Sequence, residues 1–372
     1  MLTGGKKMKI VCLQDELSRF LQITARALAL KSTLPILTGI FLETNGNSLR
    51  CVATDLEIAI EVNVPNIQIF TTGSIVLPGK TFVEIIRHLP SGPVTIEYEE
   101  ASKMVTITSK HSSYQLPVLP VEEFPTMPEL KDGNQVEIKG ETLKEAIRQT
   151  MYATLIDDPR PFLSSILWEI TPGRLRLVAT DVNRLALRDL SVESNFQKTA
   201  LVPVHSLREI ANIFGNNNEE KLTVHLTDKL IFIKGSGITL SSRLVEAQFP
   251  RYEQVVPKEF NGVVIVERNE FIDALERTAL VSNSIKINIS EKGMIITAKE
   301  PDKGRSYEEL PVDFSGKEIE IGFNVRYLLD FLKSVEASKI NFKYSQDQKP
   351  TLLQAQENDE YLYVVMPLKL SV

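Results

Sequence analysis

The sequence predicts an α+β protein assembled from three copies of one domain, each with two helices laid on β-sheets. Three observations lead there. The phrase "LRCVATDLEIAI" at 49–60 returns as "LRLVATDVNRLAL" at 175–187. Around it, amphipathic helical patterns and alternating strand patterns recur in the same order. Proline-rich stretches near 128–135 and 252–260 interrupt the pattern where copies would join. A chain of 372 residues is also too long for one ordinary core and suits two or three domains.

Each copy opens on a helix: "DELSRFLQITARAL" (15–28), "ETLKEAIRQTMYAT" (141–154) and "NEFIDALERTALVS" (269–282). In the first, Leu17, Phe20, Leu21 and Ile23 with Thr24 form the apolar stripe that must pack on the sheet of its own domain. A β-hairpin with a Gly- or Asn-containing turn follows: "LPILTGIFLETNGNSLRCVATD" (34–55), "FLSSILWEITPGRLRLVATD" (162–181) and "IKINISEKGMIITAKE" (285–300). The middles also match. "LPGKTFVEIIRHLPSGPVTIEYE" (77–99), "VPVHSLREIANIFGNNNEEKLTVHLT" (202–227) and "IGFNVRYLLDFLKSVEASKINFKYS" (321–345) each read as a strand end, a second helix and an alternating strand. The first two copies run out through "SYQLPVLPVEEFPTMP" (113–128) and "TLSSRLVEAQFPRYEQVVP" (239–257) into connectors, and the third stops at "YLYVVMPLKLSV". The predicted domains are 8–130, 131–254 and 255–372.

Composition bounds the function classes. The chain is 43% hydrophobic and 24% charged, an ordinary globular balance. No apolar run approaches the ~18–20 residues of a membrane span, and the start lacks a signal-peptide pattern, so a cytoplasmic protein without membrane partners is expected. Cys12 and Cys51 are too few for a disulfide framework and read as reduced core thiols. His88, His111, His205 and His225 are scattered, so no metal site is expected. A catalytic role for Asp55 or Asp181 would need a partner acid, a metal cluster or a nucleophile, and none is evident. No catalytic residue, metal or cofactor is therefore predicted. Asp55 instead reads as a turn former whose carboxylate accepts backbone N–H bonds. In the third copy Lys299 of "ITAKE" falls near the corresponding position.

The free helix faces carry paired cations. Arg19 and Arg26, Lys80 and Arg87, and Arg326 and Lys333 are each seven apart, and Lys144 and Arg148 four apart, so each pair shares a face. Acidic neighbours (Asp15, Glu84, Glu145, Asp330) dilute that signal. If two chains closed head-to-tail with helices inside, twelve helices at ~8–10 Å spacing would give a circumference of about 110 Å and a diameter of about 35 Å. Such a hole passes a hydrated duplex, touching phosphates rather than base edges. The net charge of −6 then describes the outside of the ring. A β-rich scaffold that never meets DNA would account for the repeats equally well, though not for paired cations in two or more domains.

With "LPILTGIFLE" (34–43), "LRCVATDLEIAI", "VATDVNRLAL", "FPRYEQVVP" (249–257) and "YVVMPLKL" (363–370) in this order and spacing, the chain resembles the bacterial DNA sliding clamps, the DNA polymerase III beta subunits, from Met8 onward. The resemblance implies a non-catalytic processivity factor: a homodimeric ring that encircles double-stranded DNA, tethers the replicative polymerase alpha-type subunit and other clamp-motif proteins, and is loaded by a clamp loader complex. It implies a partner-peptide pocket at Leu163, Thr180, Asn183, Arg184, Leu185, Pro250, Val255, Leu352, Val364, Val365, Met366, Pro367 and Leu368. It matches Lys31, Lys80 and Arg87 to DNA-facing positions, whereas Arg19, Arg26, Lys144, Arg148, Arg326 and Lys333 rest on the helix faces. It puts Tyr114 and Leu116 on one side of a dimer seam, and Leu280 and Val281 on the other. Three departures stand out. Val182-Asn183 replaces the Gly-His of many relatives, Asp157 falls where some place an uncharged DNA contact, and Ser371-Val372 extends the end.

Overall fold

In the computed structural model, residues 7–29, 31–128, 130, 134–156, 158–217, 220–346, 348–356 and 358–369 are described. Asp157 and the Ser371-Val372 extension lie outside them. Among the described residues six helices recur in pairs: α1 (Gln14–Thr24) with α2 (Gly79–His88), α3 (Gly140–Met151) with α4 (Val204–Ile213), and α5 (Arg268–Ala279) with α6 (Val325–Ser334). Each predicted helix is present, in the predicted order.

The first helix of every copy ends on the same device. Thr24, Thr150 and Thr278 are fully buried, and each Oγ1 donates to the carbonyl four residues back, on Phe20, Ala146 and Ala274, at 2.8–2.9 Å. That back-bond satisfies a buried hydroxyl and loosens the last turn. In the first copy the chain then tightens into a 3₁₀ turn, Ala25–Ala27, so Arg26 sits on a different helical geometry from Arg19. The α1 core face is Leu17, Phe20, Leu21 and Thr24, with Gln14 and Ser18. Ile23 is only half-buried, because it turns toward a groove beside α2.

Among the described residues the strands form four antiparallel sheets in two compact units, Met1–Glu141 with Asn212–Leu244, and Thr142–Ala211 with Val245–Val372. In the first unit a five-stranded sheet runs Gln68–Thr71, Lys7–Leu13, Pro93–Glu99, Met104–Ser109, Ser112–Pro117. Its eight-stranded sheet crosses from second-copy to first-copy strands where Ile238–Arg243 pairs with Ile58–Val64. In the second unit a nine-stranded sheet makes the equivalent crossing where Arg184–Ser191 pairs with Tyr361–Val365. The four-stranded sheet there ends on Gly304–Leu310. The middle copy thus gives strands to both units, and repeats legible in sequence are joined by continuous sheets. Cys12 and Cys51 are free and buried, and desolvation pushes the Cys12 thiol up to about 12 and Cys51 up as well.

Candidate functional site

The repeated phrase builds the same turn twice. In the first copy Thr54 Oγ1 donates to the Ile58 carbonyl and accepts from Leu56 N–H, while Asp55 Oδ1 accepts from Glu57 and Ile58 N–H at 2.9 and 2.8 Å. In the second, Thr180 Oγ1 donates to the Arg184 carbonyl and accepts from Val182 N–H, and Asp181 Oδ1 accepts from Asn183 and Arg184 N–H, both at 3.0 Å. The residue after each Asp, Leu56 and Val182, has φ of +79°. In the third copy the strand simply continues, with Lys299 paired to Arg305.

The two turns part at the residue that closes them. Where the first copy has Ile58, the second has Arg184, whose side chain is only 10% exposed. Its Nε donates to Asp181 Oδ2 at 2.8 Å, and its two terminal nitrogens donate to Asp330 Oδ2 at 2.5 Å and the Tyr152 carbonyl at 2.6 Å. The guanidinium lies 4.4 Å from the Tyr327 ring centroid and 5.3 Å from that of Tyr152. Burial opposes the charge, but Tyr363, Asp330 and Asp181 outweigh it and hold the Arg184 pKa above its ordinary value.

Beside this turn is a cavity of about 230 Å³. Thr180, Val182, Arg184 and Leu185 form one wall, Pro250, Tyr252 and Val255 a second, and Val364, Met366 and Phe162 the rest. Seven residues of the expected pocket therefore line one cavity: Thr180, Arg184, Leu185, Pro250, Val255, Val364 and Met366. Leu352 lies in the apolar cluster with Leu185, Tyr252 and Val364. Leu163 and Val365 are fully buried. Asn183 is exposed and accepts from Met366 N–H through its carbonyl at 2.8 Å, while Pro367 and Leu368 leave the cavity as Leu368 N–H bonds the Gly322 carbonyl. Phe162 and Tyr252 are additions that the sequence did not flag. Their rings stack edge-on through Phe249 at 6.1 and 6.2 Å. The Tyr252 hydroxyl donates to Glu169 at 2.5 Å and accepts from Arg176 at 3.3 Å. Burial, helped by Glu169 against Arg176, pushes its pKa up to about 12, so it stays a neutral ring with its polar end tied away.

The predicted basic residues fall into several settings. Arg19, Arg26 and Arg87 converge on one groove of about 900 Å³ between α1 and α2, together with Asp15 and Glu84. Arg87 is paired there with Glu84 at 2.6 Å. Lys80 and Lys31 are exposed outside that groove. On α3, Lys144 is half-buried, and Arg148 is exposed with one long bond to the Ser334 carbonyl, 3.4 Å. On α6, Arg326 is exposed and Lys333 pairs with Glu276 at 2.6 Å. Of the seam residues, Tyr114 is exposed on the edge strand Ser112–Pro117 and Leu116 is buried in its own sheet. Leu280 is 78% exposed just past α5, and Val281 is half-buried. Tyr307, on the edge strand Gly304–Leu310, is a further exposed aromatic residue that the sequence reading missed.

Comparison with known proteins decides what these features belong to. Profiles of the DNA polymerase III beta subunit match in succession: the N-terminal domain at 8–128, the central domain at 137–251 and the C-terminal domain at 253–369. The chain belongs to the DNA polymerase III beta-subunit family. It is similar to the beta sliding clamp of Staphylococcus aureus, 28% identical over 97% of this chain and 99% of that one. It is also similar to the solved sliding clamps of Bacillus subtilis (TM-score 0.94, 27% identity, 98% of this chain, 100% of the other) and Pseudomonas aeruginosa bound to griselimycin (TM-score 0.92, 30% identity, 99% and 100%). Its role is that of the beta subunits, a non-catalytic processivity factor for a DNA polymerase. Among the described residues no helix is long and apolar enough to cross a membrane, and no group of three His, Cys, Asp or Glu could hold a metal ion.

In the second of the two turns, Val182 is a β-branched residue at positive φ, where only glycine is at ease. It is 58% exposed, so replacing it forfeits little burial. Such backbone strain costs ~1–3 kcal/mol, and glycine's extra freedom in the unfolded chain returns ~0.4–1 kcal/mol. Val182→Gly is therefore expected to stabilise the second unit by about 1 kcal/mol. Urea unfolding followed by the fluorescence of Trp168, the single tryptophan and a buried residue of that unit, checks it.

Proposed function

We propose that two copies of this chain close head-to-tail into a ring around duplex DNA. The ring slides without reading sequence and tethers the polymerase alpha-type subunit and other clamp-motif proteins by peptides seated beside Arg184. A clamp loader places it on DNA in the cytoplasm. Each protomer contributes three domains, 8–130, 131–254 and 255–372. The matches at 8–128, 137–251 and 253–369 support that division.

The observation that carries the ring is the pair of unprotected sheet edges. Ser112–Pro117 exposes Tyr114 at 43%, and Gly304–Leu310 exposes Tyr307 at 62% with Leu280 beside α5 at 78%. Bare edges with apolar side chains invite strand pairing. A head-to-tail contact between two different edges gives a closed ring when the rotation closes. The pocket supports the tether. Thr180, Arg184 and Tyr252 spend their polar groups on protein partners, so a ligand meets apolar surface. Such a site takes aliphatic or aromatic anchors and releases them readily.

Loading on nicked circular DNA by a clamp loader, followed by linearisation, tests the reading. The protein should stay on the circle and run off the linear ends. Retention after cutting would mean surface binding, and no loading would mean a scaffold. Light scattering should give twice 41.8 kDa.

A further inference from the structure

The duplication that produced the apolar pocket also produced a second groove, in the first unit, and its chemistry is different. The connector residues Pro125, Met127 and Leu130 stand where Pro250, Tyr252 and Val255 stand in the second connector, counted from the shared Phe-Pro of 124–125 and 249–250. The strand registers extend the correspondence. Leu187 faces Leu362 across one copy junction, and Glu61 faces Thr239 across the other. Gln354 lies beside Leu362 as Lys234 lies beside Thr239.

In the second unit this stretch is closed. Leu187 belongs to the apolar cluster with Tyr252, Leu362 packs against it, and Gln354 is buried with its Oε1 bonded by Lys343. In the first unit the same stretch is open, a groove of about 520 Å³ within the size range of ligand sites, ~300–1,000 Å³. Its apolar part includes Phe124, Met127 and Phe232. Its charged floor is Arg50, Glu61 and Lys234. Arg50 binds both Glu43 and Glu61, at 3.1 and 2.8 Å, so its cation is already engaged and the three together keep one negative charge. Lys234 is half-buried and has no ion pair or hydrogen bond to its ammonium among the described residues. An ammonium held partly out of water beside aromatic rings is completed by a carboxylate.

We propose that this groove is a second peptide site, for an extended segment of a partner protein in which a carboxylate is flanked by apolar side chains. The carboxylate pairs with Lys234, and an apolar neighbour packs on Met127, Phe124 and Phe232. Among its described lining residues the apolar pocket beside Arg184 has no free cation and does not select for that charge, so one chain presents two sites of distinct specificity.

Among the described lining residues each groove carries one methionine, Met127 here and Met366 in the apolar pocket, which makes the two separable in one experiment. The full chain is labelled at its methionine ¹³C-methyl groups, with resonances assigned by Met127→Leu and Met366→Leu. It is then titrated with acetyl-Ile-Asp-Phe-amide and with acetyl-Ile-Asn-Phe-amide. The Asp peptide should move Met127 saturably, and the Asn peptide should bind on the order of tenfold more weakly, as for loss of one charge-assisted bond. Lys234→Gln should abolish that difference. A Met127 resonance that stays still, or moves equally with both peptides, or keeps its preference in Lys234→Gln, overturns the proposal. A response at Met366 alone also overturns it, and leaves the apolar pocket as the peptide site.

Discussion

Arg184→Ala is expected to lower the stability of the second unit by about 3–5 kcal/mol, the usual consequence of removing one partner from a buried ion pair. The magnitude comes from the groups that the side chain leaves unpaired. Asp181 has a side chain only 7% exposed and loses the donor on Oδ2, keeping only the two backbone N–H bonds on Oδ1. The Tyr152 carbonyl, past the end of α3, loses its guanidinium donor. Asp330, 41% exposed, can turn to water and contributes less. The Tyr327 and Tyr152 rings lose the cation between them. Trp168 fluorescence in urea would register the shift in the same unit. Arg184→Lys should recover little, because one ammonium on a flexible stem cannot bridge three acceptors held by a planar fork. Arg184→Met with Asp181→Asn should recover part of the loss, since the buried carboxylate is then gone. A drop below about 1 kcal/mol for Arg184→Ala would mean that the network is a surface ion pair in effect. Peptide affinity should fall in all three variants, because Arg184 forms pocket wall.

The same residue marks where reading the sequence stopped. Duplicated phrases, helix stripes and strand alternation are local, so the order of elements was legible. So was the role of Asp55, because an Asp turn is made with residues two and three further on. Asp330 looked like an acidic residue diluting a basic helix face, whereas it neutralises Arg184 from 146 positions away. Tyr252 and Phe162 were overlooked because an aromatic residue in a Pro-rich stretch gives no periodic signal. Their place in the cavity depends on Phe249 and on Arg176 and Glu169, all set by tertiary packing. Ile23 fitted the stripe of α1, yet the helix rotates it toward the groove because Gln14 and Ser18 take buried positions instead. A hydrogen-bonded polar residue can occupy a core position, and hydrophobicity alone misplaces the face. Leu116 and Tyr114 show the converse, since neighbours-but-one on a strand share a face, yet the fold covers only Leu116.

The other large effect concerns the groove between α1 and α2. If Arg19, Arg26 and Arg87 meet DNA phosphates, replacing all three by Gln should flatten the plot of log affinity against log salt by about 0.9 for each phosphate left without its arginine. Near 0.1 M salt that amounts to roughly tenfold per phosphate, up to about a thousandfold for three. The loss should be the same on duplexes of any sequence, because phosphates carry no base information. The groove contains its own control. Asp15 and Glu84 lie among the three arginines, so its net charge is only modestly positive, and Arg87 is held by Glu84. Glu84→Gln should therefore act in the opposite direction, freeing Arg87 and raising affinity at low salt. All four residues are exposed or half-buried, and substitutions of that kind change stability within about 0.5 kcal/mol, so unfolding cannot mimic the result. Arg19 also stacks on Phe20 at 4.6 Å, worth at most about 1 kcal/mol at an exposed site. Fluorescence anisotropy on a labelled duplex across a potassium chloride series reads both directions. An unchanged salt slope in the triple variant would place this groove on a face that DNA does not meet, and a ring with its helices inward would then be untenable.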